Sequence, residues 1–169
     1  MSRASSPISV NSGSPKEGAQ LHDLLPFTIQ ERVFGVMADQ VDATAEAKPF
    51  ARLPRTPPAI VGVVCVRGRM LTVLDAAAVL HAATKEWQQP LPYVVVLNGD
   101  EQLGLAAETC RDTITISAED IEHTAGDEAA SDDPVVGTVT HGGEQILIFD
   151  AHRLFGRAVQ RRERRRRRF

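Results

Sequence analysis

Aromatic residues make up only 5% of this 169-residue chain, too few for the stacking platform on which single-stranded nucleic acid is held. There are two cysteines, Cys65 and Cys110. They are far apart and outside any CxxC spacing, which excludes a disulfide framework and a cysteine zinc site. Each sits in an apolar, strand-like context and is expected to be a small buried side chain. His22, His81, His123, His141 and His152 show no metal-ligand spacing with one another or with the cysteines. No apolar run reaches the roughly 20 residues needed to cross a bilayer. The opening MSRASSPISVNSGSPKEG lacks a secretory apolar core, so a cytoplasmic location is expected, with no membrane insertion. A phosphate loop, a dinucleotide fingerprint and a nucleophile elbow are all missing. No small-molecule substrate, cofactor, metal or catalytic residue is therefore expected, and the chain is not read as an enzyme. Asp75 and Asp150 are a conceivable acid–base pair, but each stands between an apolar strand and an Ala-led helical stretch, so two helix N-caps are the preferred reading.

Net charge is also small, −3, but it is unevenly placed. Residues 157–168 hold eight Arg and one Glu, whereas residues 1–156 hold eleven Lys or Arg against twenty-one Asp or Glu. An acidic body thus ends in a basic tail. Such a run is ordinarily a solvated end. Nucleic acid, anionic lipid, an acidic protein surface and the chain's own acidic body are the alternatives.

What is present is β-sheet signal and turn punctuation. Residues 1–22, rich in Ser, Pro and Gly, read as a disordered leader. Phe27, Ile29, Val33, Phe34 and Val36 mark two strands of a hairpin around Gln30-Glu31-Arg32. Val41 to Pro57, with prolines at 49, 54 and 57, is expected to run as extended edge or loop. Tyr93–Leu97, the Asn98-Gly99 turn and EQLGLAAETC form another hairpin. Residues 113–117 alternate as a further strand, 121–134 are acidic and loop-like, and 135–150 form a closing hairpin around Gly142-Gly143. Asp75 and Asp150 each open a helix. MLTVLDAAAVL (70–80) parallels ILIFDAHRLF (146–155), a faint repeat pointing to two related β subdomains, each closed by a strand-to-helix step.

The most informative stretch is TPPAIVGVVCVRGRMLTVLD, residues 56–75. Two apolar β-branched runs flank Arg67-Gly68-Arg69 and suit strands buried on both sides. Val61, Val64 and Val66 alternate with Ile60, Val63 and Cys65, so one set lines a core. Two arginines at the turn are costly to bury, so the turn faces solvent or a partner. Arg67 is the leading binding residue, since its planar guanidinium grips a carboxylate or carbonyl through two bonds; the competing role is an internal ion pair that fixes the turn. Gly68 supplies a positive φ or a close approach.

With these residues in order, the chain from about Phe27 to Phe155 resembles the CheW-like chemotaxis coupling domain. The resemblance rests on FTIQERVFGVMADQV, on RLPRTPPAIVGVVCVRGRMLTVLD with Gly62, Val63, Arg67, Gly68 and Asp75 in the family's places, on YVVVLNGDEQLGLAAETCRDTITI with Gly104 and Leu105, and on VVGTVTHGGEQILIFDAHRLF. Cys65-Val66 replaces the usual Asn-Leu, Ala43 stands where Glu is common with Asp42 or Glu46 as candidate substitutes, and Glu108 stands where Asp is usual. The resemblance implies an all-β fold of two packed, interleaved SH3-like five-stranded β-barrels over residues 23–157, with short helices, a C-terminal helix and an Arg-rich tail at 158–169. It implies a non-enzymatic scaffold of two-component signalling, linking a chemoreceptor's cytoplasmic tip to the regulatory domain of a chemotaxis histidine kinase. The expected partner-binding residues are Arg67, Gly68, Val66 and Val61. The rival is a small β-barrel nucleic-acid binder that uses the tail, against which the acidic body and the scarcity of aromatics argue.

Overall fold

The computed structural model describes residues 18–81, 83–124 and 133–166, with side chains described up to residue 158. The expected leader therefore lies almost wholly outside the described residues. In chain order the elements are β1 (Leu21–Ile29), β2 (Arg32–Met37), β3 (Val41–Lys48), β4 (Phe50–Ala51), β5 (Ile60–Val66), β6 (Arg69–Leu74), α1 (Ala76–His81), β7 (Leu91–Leu97), β8 (Leu103–Ala107), β9 (Thr109–Cys110), β10 (Ile114–Ser117), β11 (Glu122–His123), β12 (Val135–His141), β13 (Glu144–Phe149) and α2 (Ala151–Arg166). Among the described residues no helix is long and apolar enough to cross a membrane.

Two curled sheets result. One runs β10-β1-β2-β13-β12-β11 with β9 also on β1, and the other runs β3-β7-β8-β6-β5-β4. Setting aside the two-residue strands β4, β9 and β11 leaves five strands in each, the expected barrel count. The barrels are interleaved because the whole second sheet, Val41 to Ala107, is inserted between β2 and β9. β1 begins at Leu21, inside the stretch read as leader, because Leu21 and His22 pair with Ser117 and Ile116 of β10. Backbone pairing needs no apolar signal in the side chain.

The repeat seen in the sequence is a repeat of hydrogen bonding. β5–β6 and β12–β13 are antiparallel hairpins, each with a bulge, at Ile60/Gly62 and Val135/Gly137. The second strand of each then pairs in parallel, β6 with β8 and β13 with β2. At each bulge glycine a third strand crosses closely. A Cβ on Gly62 would lie 2.4 Å from the Ala51 carbonyl oxygen, and one on Gly137 2.5 Å from that of Glu122. Only a residue without a side chain allows these approaches.

The two aspartates end the repeat. Asp75 N–H donates to Ala59 O at 2.8 Å and Asp150 N–H to Pro134 O at 2.7 Å. Asp75 Oδ1 accepts from Ala78 N–H at 3.1 Å, and Asp150 Oδ1 from His152 and Arg153 N–H at 2.9 and 3.1 Å. Both carboxyls are thus N-caps. They differ in burial. Asp75 is 1% exposed, and its Oδ2 accepts from Trp87 Nε1–H at 2.8 Å. Burial pushes its carboxyl above the ordinary aspartate value, against the pull of the Trp87 and Ala78 bonds. The folded chain therefore holds this proton more tightly than the unfolded chain. Its contribution to stability is full below about pH 3.9 and is lost as pH rises through the raised folded value.

The main core takes in both barrels: Phe27, Phe34 and Phe149 from the first meet Val94–Leu97 and Leu105 from the second, under α1 and α2. The three Phe rings lie 5.9 to 6.4 Å apart, the range of favourable aromatic pairs. A smaller core of Leu24, Ile116, Ile121, Val139, Ile146 and Ile148 fills the first barrel. Burial on both faces falls to β8 and most of β7, not to β5 as expected. β5 lies between β6 and the two-residue β4 and alternates: Val64 and Val66 point into the barrel, while Cys65 is exposed. The expectation of a buried Cys65 fails because Cys65 is on the face of β5 that points away from the barrel interior. Cys110 is half-buried, and burial pushes its thiol up to about 11.

Four substitutions test these contacts by equilibrium denaturation. Gly137→Ala should cost about 1–3 kcal/mol through the forced shift of β11, whereas Gly156→Ala in α2, where a Cβ meets nothing within 4 Å, should gain up to about 1 kcal/mol. Asp150→Ala should cost about 1 kcal/mol, the loss of a cap. Asp75→Ala should cost about 1–3 kcal/mol more, since Trp87 Nε1–H is left buried without its acceptor; equal costs would mean that the Trp87 bond contributes nothing.

Candidate protein-binding site

β5 and β6 are joined by two residues, with Val66 paired to Arg69. Arg67 and Gly68 have φ of 50° and 77°, both in the left-handed region, as in a type I′ turn. That turn matches the right-handed twist of the strands it joins. A Cβ on Gly68 would meet nothing within 4 Å, so Gly68 is there for its positive φ and not for a close approach. Arg67 takes the same strained region without being glycine, and the hairpin holds its side chain out at the tip, exposed.

The two arginines of the turn have divided roles. Arg69 Nη1 lies 3.3 Å from Asp42 Oδ2, and both side chains are about half exposed. Asp42 belongs to β3, at a bulge between Val41 and Ala43, so this bridge ties the hairpin to the far edge of the same sheet. The internal ion pair weighed for Arg67 is thus made by Arg69. Among the described residues Arg67 has no ion pair or hydrogen bond through its guanidinium. An exposed bridge of the Arg69–Asp42 kind is worth at most about 1 kcal/mol, but it positions the turn.

The other two expected residues stand apart from Arg67. Val66 is 5% exposed and faces the barrel interior, where it supports the turn. Val61, half-buried, lies six residues back along β5, roughly 20 Å from the tip at strand spacing. It lines a cleft of about 370 Å³ with Phe50, Leu53, Pro57, Pro58 and Trp87. One wall is pinned by Arg52 Nη2, which donates to Trp87 O at 2.7 Å, and Lys85 Nζ sits 4.7 Å above the Trp87 ring. Gln89 holds the Phe50 backbone in place: its Oε1 accepts from Phe50 N–H at 3.0 Å and its Nε2 donates to Phe50 O.

Between tip and cleft the outer face of the hairpin carries residues not singled out in the sequence. Met70, 56% exposed, is directly opposite Cys65, and Thr72 is opposite Val63. Directly paired residues share a face, so Met70, Cys65 and Val63 make an apolar stripe running back from Arg67, and Leu53, 41% exposed, borders the cleft. The signal was the strict alternation of β5 once Val64 and Val66 are assigned to the core. Glu108, the departure in the third matching stretch, ion-pairs with Lys85 and accepts from Gln30 N–H at 3.0 Å, linking the two barrels. Among the described residues no three His, Cys, Asp or Glu come together as metal ligands.

A solid turn carrying one unengaged arginine beside an apolar stripe suits protein contact. The comparisons agree with that character. No curated protein matches the chain. Among solved structures, the scaffolding protein TtCheW from Thermoanaerobacter tengcongensis is similar in fold, with a TM-score of 0.67 and 20% sequence identity over 80% of this chain and 93% of that one. The family model of the CheW-like domain matches residues 23–159, most of the chain, and with the interleaved barrels and the Arg67 hairpin in place the protein belongs to the CheW-like domain family.

Proposed function

We propose that this protein couples the cytoplasmic tip of a chemoreceptor to the regulatory domain of a chemotaxis histidine kinase, with the Arg67 turn as part of the receptor-binding surface. Family membership carries the adaptor role in chemosensory signalling; the partners and the residues that meet them are the proposal. The observation that supports Arg67 is the division of labour at the turn, in which Arg69 makes the internal bridge and Arg67 is left for another molecule. A guanidinium held on a two-residue turn loses little freedom on binding, so more of its bidentate contact reaches the affinity. The stripe of Met70, Cys65 and Val63 adds apolar area beside it, in the usual arrangement of a few Arg and apolar hot spots within a modest interface.

The mechanism is geometric and needs no chemistry. One barrel surface holds the receptor, another holds the kinase domain, and the shared Phe27–Phe34–Phe149 core makes the two surfaces move as one body. A shift at the receptor is then passed on as a shift in kinase packing. Nothing in the fold or the comparisons favours the nucleic-acid reading.

Purified protein titrated with a receptor signalling tip and with a kinase regulatory domain should bind both. Arg67→Ala should weaken receptor binding by about tenfold, on the order of 1.4 kcal/mol, with an unchanged denaturation midpoint. Loss of folding with no separable binding defect would assign Arg67 to structure instead. Deletion of residues 160–169 should leave both pairwise affinities within about twofold, because the tail lies outside any contact invoked here.

A further inference from the structure

The sequence has no Asp or Glu between Glu46 and Asp75, yet five of the eleven Lys and Arg of residues 1–156 fall there: Lys48, Arg52, Arg55, Arg67 and Arg69. In a body that is otherwise acidic, β4 to β6 form a cationic segment, and its complement is an anionic surface.

The arginines stand at the two ends of the apolar stripe. Arg67 and Arg69 are at the hairpin tip. Arg52 and Arg55 belong to the loop between β4 and β5, where Leu53 and Thr56 line the cleft. Ala51 pairs with Val63, so this loop leaves the sheet toward the end of β5 away from the tip. At each end one arginine is engaged. Arg69 holds Asp42, and Arg52 holds Glu86 and Trp87 O. The other, Arg67 or Arg55, is exposed and has no ion pair among the described residues. Both take a positive φ, 50° and 58°, in turns that ordinarily place Gly or Asn there.

Between these ends the face is apolar. Val61, Val63 and Cys65 alternate on the outer side of β5, and Met70 lies across from Cys65. Among the described residues three large hydrophobic side chains are well exposed, and two of them, Leu53 and Met70, belong to this surface. β5 is flanked by β6 and β4, so the face offers side chains and not an open strand edge, which excludes strand addition. An amphipathic helix is the remaining regular element that fills such a stripe. From tip to cleft is roughly 20 Å at strand spacing, which a helix covers in about 13 residues.

We propose that this face docks one acidic amphipathic helix of the receptor tip. Its apolar side lies on Val63, Cys65 and Met70, one carboxylate meets Arg67, and a second, about 11 to 14 residues along the same helix face, meets Arg55. This rests on the assignment of Arg67 to the receptor and extends the contact to the rim of the cleft, which that assignment leaves unused.

Titration of the full chain with a receptor signalling tip tests this. Arg55→Asn removes the charge with a residue that tolerates the left-handed turn. It should weaken binding by about fivefold, and Met70→Gln by a similar factor, both with unchanged denaturation midpoints. Arg55 and Arg67 are far enough apart that the losses in Arg55→Asn and Arg67→Ala should multiply in the double variant. Added salt should weaken binding less in either single variant than in the wild type. Cys65 supplies a native probe in mid-stripe, since the Cys110 thiol is half-buried and pushed up to about 11. Crosslinks from Cys65 to single cysteines placed along the receptor tip should recur about every 3.6 residues, the period of a helix face. If Arg67→Ala weakens binding while Arg55→Asn and Met70→Gln do not, the docked helix is wrong and the coupling role stands. Crosslinks without helical period, or losses confined to the kinase regulatory domain, would also overturn it. A wild-type chain that does not bind the tip overturns both.

Discussion

Each barrel closes where a backbone carbonyl occupies the space of a missing side chain. The Ala51 oxygen sits against Gly62 and the Glu122 oxygen against Gly137, both nearer than any Cβ tolerates. The bulge at each glycine turns its hairpin, so that β6 and β13 emerge beside β8 and β2 and pair with them in parallel. The strand-to-helix step at Asp75 or Asp150 follows from the same turn. The orientation of the β5–β6 hairpin, and with it the direction in which Arg67 projects, rests on this approach.

The two copies of the device have diverged in what surrounds the capping aspartate. At Asp150 the cap lies near solvent and α2 continues to Arg166. At Asp75 the carboxyl is buried under Trp87, and α1 ends after six residues. The Trp87 bond draws the segment after α1 over the barrel and builds the cleft that Val61 lines. One aspartate therefore supports a local wall of the second barrel, while the other launches the helix that carries the basic block. A buried carboxylate with a raised proton affinity is an uneconomical cap, and its hydrogen bonds to Trp87 and Ala78 compensate.

The proposed coupling role calls for rigidity. Three two-residue turns, at Gln30-Glu31, Arg67-Gly68 and Gly142-Gly143, all have positive φ at both positions and hold their hairpins in register. The aromatic contacts of Phe27, Phe34 and Phe149 join the barrels through one core. A scaffold that transmits displacement needs both properties, since a loose joint between its surfaces would absorb the shift it is meant to pass on.

Local rules sufficed for much of this. Strand and turn positions were legible because two-residue turns and apolar alternation are short-range signals, and the caps at Asp75 and Asp150 were legible because an N-cap acts within one helical turn. The family's spacing was enough to bring Arg67 and Gly68 forward. The sequence could not reveal which face of β5 is wet, because that depends on which face the curled sheet turns inward; hence Cys65 was expected inside and is exposed. Nor could it tell Arg67 from Arg69, since the choice turns on Asp42, 27 residues away from Arg69 in the chain. Val61 and Arg67, close in sequence, lie at opposite ends of a strand, and extended backbone alone separates them. Periodicity and capping are local and are written along the chain, whereas exposure and ion pairing depend on which distant strands the fold sets side by side.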